Sequence, residues 1–173
     1  MIKVWDLYIR SYHWLLVIIL VSNLFLNEEG EAWHQNLGLS ASLLVLIRIL
    51  WGFVCPTPYA RWKFFWPTRR RLRTYGAALF RRDPPRLLSH NPLAASVMLV
   101  MLALVLGLGF TGWLQGTEAF HDYQPLEKAH ATLSTSLLIL IAMHVLGIFV
   151  ESWHTKENLV ASMIHGKKRP SSG

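Results

Sequence analysis

EKAHATLSTSLLILIAMHVLG, residues 127–147, is the stretch that decides the fold of this chain. It lies in an apolar run from about Ala129 to Trp153, long enough to cross a hydrocarbon core of roughly 30 Å, which takes about 20 helical residues. Within it stand His130 and His144. Polar side chains inside a bilayer are costly, and those that persist usually face a bundle interior and serve a function. Working outward, three more apolar runs appear, at about Tyr8–Leu26, Asn36–Val54 and Pro92–Leu114. Backbone groups find no water in lipid, so only helices and closed barrels span it. Four continuous runs without strand-like alternation predict an all-α membrane protein, a bundle of four transmembrane helices. Composition agrees, since 173 residues at 53% hydrophobic read as a single membrane-embedded domain, 1–173, too apolar for a soluble globule. Lys3 and Arg10 ahead of the first run imitate a signal peptide. Leu26, however, leads straight into Asn27, Glu28 and Glu29 without a small-residue cleavage site, so the first helix is expected to be retained.

Charge predicts the orientation. The connection at about 55–91 carries Arg61, Lys63, Arg69, Arg70, Arg71, Arg73, Arg81, Arg82 and Arg86 against Asp83, which marks it as cytoplasmic. The connections at 27–33 and 115–128 hold Glu28, Glu29, Glu31, Glu118, Asp122 and Glu127 against Lys128, which marks them as external. Lys3, Arg10, Lys156, Lys167, Lys168 and Arg169 place both termini on the cytoplasmic side, as an even number of spans requires. The net charge of +7 therefore reads as orientation and contact with membrane lipids, and nucleic acid is not an expected partner. Tyr59, Trp62, Phe64, Phe65, Trp66 and Tyr75 suit a basic segment lying on the membrane surface. Trp5, Trp14, Trp33, Trp51, Trp113 and Trp153 suit the interfacial aromatic belt. A short amphipathic segment is expected at about 154–169.

The chemistry lies in the histidines. His130 and His144 are fourteen residues apart, about 21 Å and close to four whole turns, so both imidazoles leave one helix face at two depths. At the external depth the available partner is His34, and at the cytoplasmic depth it is His13. Two pairs from different helices at matching depths are what axial ligation of two stacked haems demands. Any one of these histidines alone reads equally well as a hydrogen-bonded contact between helices. Zinc or copper is the competing metal, but two histidines per level under-supply a tetrahedral site. Cys55, the lone cysteine, excludes both a disulfide within the chain and a CxxCH attachment site, so the haem would be b-type. Gly38, Gly107, Gly109, Gly112 and Gly147 would let a flat macrocycle near the backbone, as they would let helices pack closely.

Arg48 follows His34 by fourteen residues and returns to the same face at the cytoplasmic depth. Two readings stand for it, pairing with a haem propionate and snorkelling to headgroups. His90, before Asn91 and Pro92, reads as a capping or interfacial residue, with propionate bonding or proton exchange with a quinone as the alternative. His121, His154 and His165 are assigned no ligand role.

Taken together, VWDLYIRSYHWLL (4–16), HQNLGLSASLLVLIRILWGF (34–53), SHNPLAA (89–95), EKAHATLSTSLLILIAMHVLG and HTKENLVASMIHGKKR (154–169) resemble the bacterial cytochrome b561 family. The branch they resemble holds the di-haem cytochrome b subunits related to those of nickel-iron hydrogenases. The resemblance implies that His13 and His144 ligate a cytoplasmic-side haem, and His34 and His130 a periplasmic-side one. It also implies a multi-pass protein of the bacterial inner membrane that moves electrons between the quinone pool and a periplasmic c-type cytochrome, hydrogenase or dehydrogenase. Quinone would bind near the cytoplasmic haem, close to His144, His90 and Arg48. Expected partners are then lipid, quinone or quinol, a periplasmic redox protein and, in a homo-oligomer, a second copy of the chain. A superoxide:quinone oxidoreductase is the first alternative, ranked lower because net acidic external loops repel an anionic substrate. A haem-free anchor subunit is the second, and it predicts a colourless protein.

Overall fold

Seven α-helices are present among the described residues of the computed structural model: α1 (Leu7–Phe25), α2 (Ala32–Val54), α3 (Trp62–Phe65), α4 (Arg69–Phe80), α5 (Pro92–Gln115), α6 (Gln124–Thr155) and α7 (Leu159–His165). The described residues are 1–28, 30–81, 85, 87 and 90–170. Glu29, Arg82, Asp83, Arg86 and Ser89, which contributed to the charge and motif reading, lie outside them. Helices α1, α2, α5 and α6 are the four long and apolar enough to span a bilayer. Burial separates them from the core helices of a soluble protein. No more than 22% of the most apolar stretch of any of the four is buried, and in α6 only 6%. Leu15, Ile18, Leu43, Leu46, Phe149 and Val150 all face outward, a surface of a size that only lipid or a partner can cover.

Four of the helices begin where a side chain satisfies one of their free backbone N–H groups. Asp6 Oδ1 accepts from Ile9 N at 2.8 Å ahead of α1. Thr68 accepts from Arg71 N ahead of α4, and Asn158 from Ala161 N ahead of α7. Asn91 Oδ1 accepts from Ala94 N at 2.8 Å, with Pro92 in the first turn of α5. At 32 residues α6 is about 48 Å long, so its polar ends project past the hydrocarbon. It stops where Lys156 turns left-handed, at φ +50°.

The chain divides into two compact units. The first comprises residues 1–10, 51–99 and 143–173. Its core gathers Val4, Trp5, Ile9, Cys55 and Ala60, with Tyr8, Trp51 and Met163 packed against them. Trp5, expected in the interfacial belt, is 5% exposed and belongs to this core. The N-terminus is tied down by a two-stranded antiparallel pairing of β1 (Ile2–Lys3) with β2 (Lys167–Lys168). Gly166 makes the turn between α7 and β2 at φ +78°, and its carbonyl accepts from both Val4 N and Trp5 N. Arg10 Nη1 adds a bond to the Ile164 carbonyl. Asp6 accepts from Cys55 Sγ at 2.9 Å and Trp51 Nε1 at 3.5 Å. Burial alone would raise its pKa, but the bonds from Cys55, Ile9, Trp51 and Thr57 together outweigh burial and hold the carboxyl below its usual range. Within the basic segment, α4 exposes Arg69, Arg70, Arg71 and Arg73 and buries Tyr75. Burial, reinforced by the nearby Glu151 carboxylate, pushes the Tyr75 phenol up to about 12.

The second unit comprises residues 11–50 and 100–142, and so contains parts of all four spanning helices. Ala41, Val45, Leu102, Val105 and Leu137 are buried in it. Ser42 Oγ on α2 donates to the Val105 carbonyl on α5 at 3.1 Å. The two helices approach so closely here that a Cβ on Gly109 would lie 1.9 Å from Ser42 Oγ. Small residues thus set the spacing of α2 and α5, the usual packing solution in lipid.

Candidate haem site

The apolar run of the second helix begins at Asn36, but α2 itself starts at Ala32, so His34 stands in a helical first turn with a fixed direction. His130 lies near the start of α6. Within the second unit the two imidazoles come together, with ring centres 6.2 Å apart and planes inclined at 60°. An imidazole nitrogen sits about 2 Å from a first-row metal with the ring centre roughly 1.1 Å beyond, so two rings sharing one iron from opposite sides would have centres about 6.2 Å apart. The observed spacing matches that of a bis-imidazole site.

The surroundings fit the same group. Thr111 Oγ1 on α5 lies 2.7 Å from His130 Nδ1. The neighbouring Gly112 leaves the ring room, since a Cβ there would lie 3.3 Å from His130 Cε1. His34 Nδ1, Asn23 Oδ1 and Asn27 Nδ2 are buried without a hydrogen-bond partner, a state that calls for an explanation in any native structure. Asn23 faces Gly38, one turn beyond His34 on α2. Of the three orphaned atoms, Asn27 Nδ2 is a donor that a carboxylate arm of a bound group would satisfy. Among the described residues no three His, Cys, Asp or Glu side chains cluster as a metal site. Two nitrogens suffice for an iron whose other four ligands belong to a macrocycle, and fall short for tetrahedral zinc.

The other candidates are placed as follows. His13, on α1 in the second unit, is half-buried with Trp14 at 5.4 Å, and His144, on α6 in the first unit, is also half-buried. The pair falls in different units, so its partnership stands on sequence. Arg48, in the second unit, is 4% exposed, whereas a guanidinium snorkelling to headgroups would be open. Asn91 caps α5, so His90 has a different position, packed on Trp5 with ring centres 5.0 Å apart. His121 bonds Asp122 at 3.1 Å, and His165 Nδ1 accepts from Lys167 N at 3.1 Å. Sequence reasoning passed over Thr111, Asn23 and Asn27. A hydroxyl between two glycines in GFTGW, near the end of an apolar run, was the available signal.

Three comparisons bear on this geometry. A relative described as a probable Ni/Fe-hydrogenase B-type cytochrome subunit, from Bradyrhizobium diazoefficiens, is 21% identical over an alignment covering 97% of this chain and 86% of the relative. No solved structure matches the chain. The prokaryotic cytochrome b561 family matches residues 4–166, almost the whole length, with all four spanning helices and the histidine pair inside the match. The chain therefore belongs to the prokaryotic cytochrome b561 family and is a multi-pass bacterial membrane protein.

Proposed function

We propose that the chain carries electrons across the membrane through two b-type haems, between the quinone pool and a redox protein on the periplasmic side. Membrane electron transfer by b-type haem follows from the family. The finer reading is carried by the 6.2 Å spacing of His34 and His130, which supports one bis-histidine site near the external ends of α2 and α6. On sequence, His13 and His144 hold the second haem, about 21 Å along α6 from the first. Iron in such a site supplies a reversible one-electron couple.

The residues of the chain do the rest. The four imidazoles fix the irons, and the lipid-facing apolar surface keeps water from the electron path. Arg48, a buried guanidinium, is suited to neutralise a propionate. Quinone is proposed to react on the cytoplasmic side near His144 and His90, where a histidine can exchange the protons that accompany quinone chemistry. The positive-inside bias supports cytoplasmic termini and a cytoplasmic basic segment of about 55–91 in a single membrane-embedded domain. The acidic external connections suit a basic partner surface, and the hydrogenase subunit among the relatives makes a hydrogenase one candidate. In reconstituted vesicles, quinol should reduce the haems and a basic c-type cytochrome should reoxidise them more slowly as salt rises. Haems that quinol leaves oxidised, or reoxidation indifferent to salt, would count against the quinone and docking parts respectively.

A further inference from the structure

We infer that Thr111 is a positioning residue that fixes the tautomer of His130 and, resting on His130 being an axial ligand as proposed above, biases that haem toward the ferric state. A threonine hydroxyl has one proton and can accept as well as donate. Thr111 Oγ1 lies 2.9 Å from the Gly107 carbonyl and 3.2 Å from the Leu108 carbonyl. Carbonyl oxygens only accept, so the hydroxyl proton is committed to them, in the back-bonded arrangement common for threonine in helices. At 2.7 Å from His130 Nδ1, the same oxygen must then accept, and Nδ1 carries the hydrogen. The lone pair of the imidazole is thereby placed on Nε2, the atom a metal would take.

The chain His130 Nδ1–H to Thr111 Oγ1–H to Gly107 carbonyl also draws the Nδ1 proton outward, which raises the basicity of the ligand and favours the more highly charged iron. Its opposite number is different, because His34 Nδ1 is buried with no hydrogen-bond partner among the described residues. The two ligands of one haem would thus be unequal, and the tuning of that haem rests on one hydroxyl of α5. Gly112, where a Cβ would lie 3.3 Å from His130 Cε1, completes the seat.

The test compares Thr111→Val, which keeps the shape and removes the hydroxyl, with Thr111→Ser, which keeps the hydroxyl, in the full-length haem-loaded chain. Redox titration followed optically, and ferric low-spin electron paramagnetic resonance, are the readouts. For Thr111→Val the midpoint of one haem should rise by at least a threefold change in the ferric-to-ferrous ratio, about 28 mV at 59 mV per decade for one electron. Its ferric spectrum should shift, and Thr111→Ser should stay close to the parent in both. Thr111→Val unchanged in midpoint and spectrum overturns the inference, as does a Thr111→Ser that shifts as far as Thr111→Val. His130→Ala separates the two levels of argument. If it loses one haem the ligand assignment stands whatever Thr111 does, and if it keeps full haem content both fall.

Discussion

Replacing Gly112 should damage the haem site while leaving the helix that carries it intact. A Cβ at position 112 would lie 3.3 Å from His130 Cε1, a few tenths of an ångström inside ordinary carbon contact. Gly112→Ala therefore pushes the ring by roughly that amount, against metal–nitrogen bonds that tolerate about 0.2 Å. In the helix interior the same change gains about 0.8–1.0 kcal/mol of intrinsic propensity on scales measured in water. The two effects have opposite signs and separate readouts. Gly112→Ala should keep its haem with a displaced midpoint and no loss of thermal stability in the haem-free chain. Gly112→Val, whose branches reach further into the ring, should lose one haem from the pyridine haemochrome ratio while the other remains. A Gly112→Val protein with unaltered haem content and midpoint would refute the seat described for His130.

Three further perturbations address the first unit. Gly166→Ala should be strongly destabilising: the residue holds φ +78°, where a Cβ costs about 1–2 kcal/mol, and that Cβ would lie 2.6 Å from the Trp5 carbonyl. Earlier proteolysis of the C-terminal tail than in the parent would register it. Asp6→Ala removes the α1 cap at a cost of about 1 kcal/mol, seen as a lower melting temperature. Because the folded carboxyl of Asp6 is held below its usual value of 3.8, its contribution is present above that pH and lost as the pH falls through the lower folded value. A parent-minus-variant stability difference that grows on acidification would contradict the sign. Tyr75 should resist ionisation until about pH 12 in an ultraviolet titration, and Glu151→Gln should bring it down.

Hydropathy made the four spans legible because it reads the slab of lipid. It was blind to where a helix extends beyond that slab. Thus the first turn of α2, with Trp33, His34 and Gln35, and the polar ends of α6 at Gln124 and Thr155 fell outside the apolar runs. The pairing of His34 with His130 was readable from helical rise, since depth in a bilayer is a one-dimensional coordinate that sequence position fixes. The contact of Thr111 with His130 was not readable, because it depends on the rotation of α5 against α6, which side-chain packing decides. The contact of Asp6 with Cys55 and the pairing of Ile2–Lys3 with Lys167–Lys168 join segments far apart in sequence. No local propensity announces so short a strand.

The central claim is that paired histidines hold two b-type haems, and haem-to-protein ratio measures it directly. A pyridine haemochrome assay with a dithionite-reduced minus oxidised spectrum should give two haems b per chain, and one in either His34→Ala or His130→Ala. A colourless parent, or either variant retaining the parental ratio, would contradict the account.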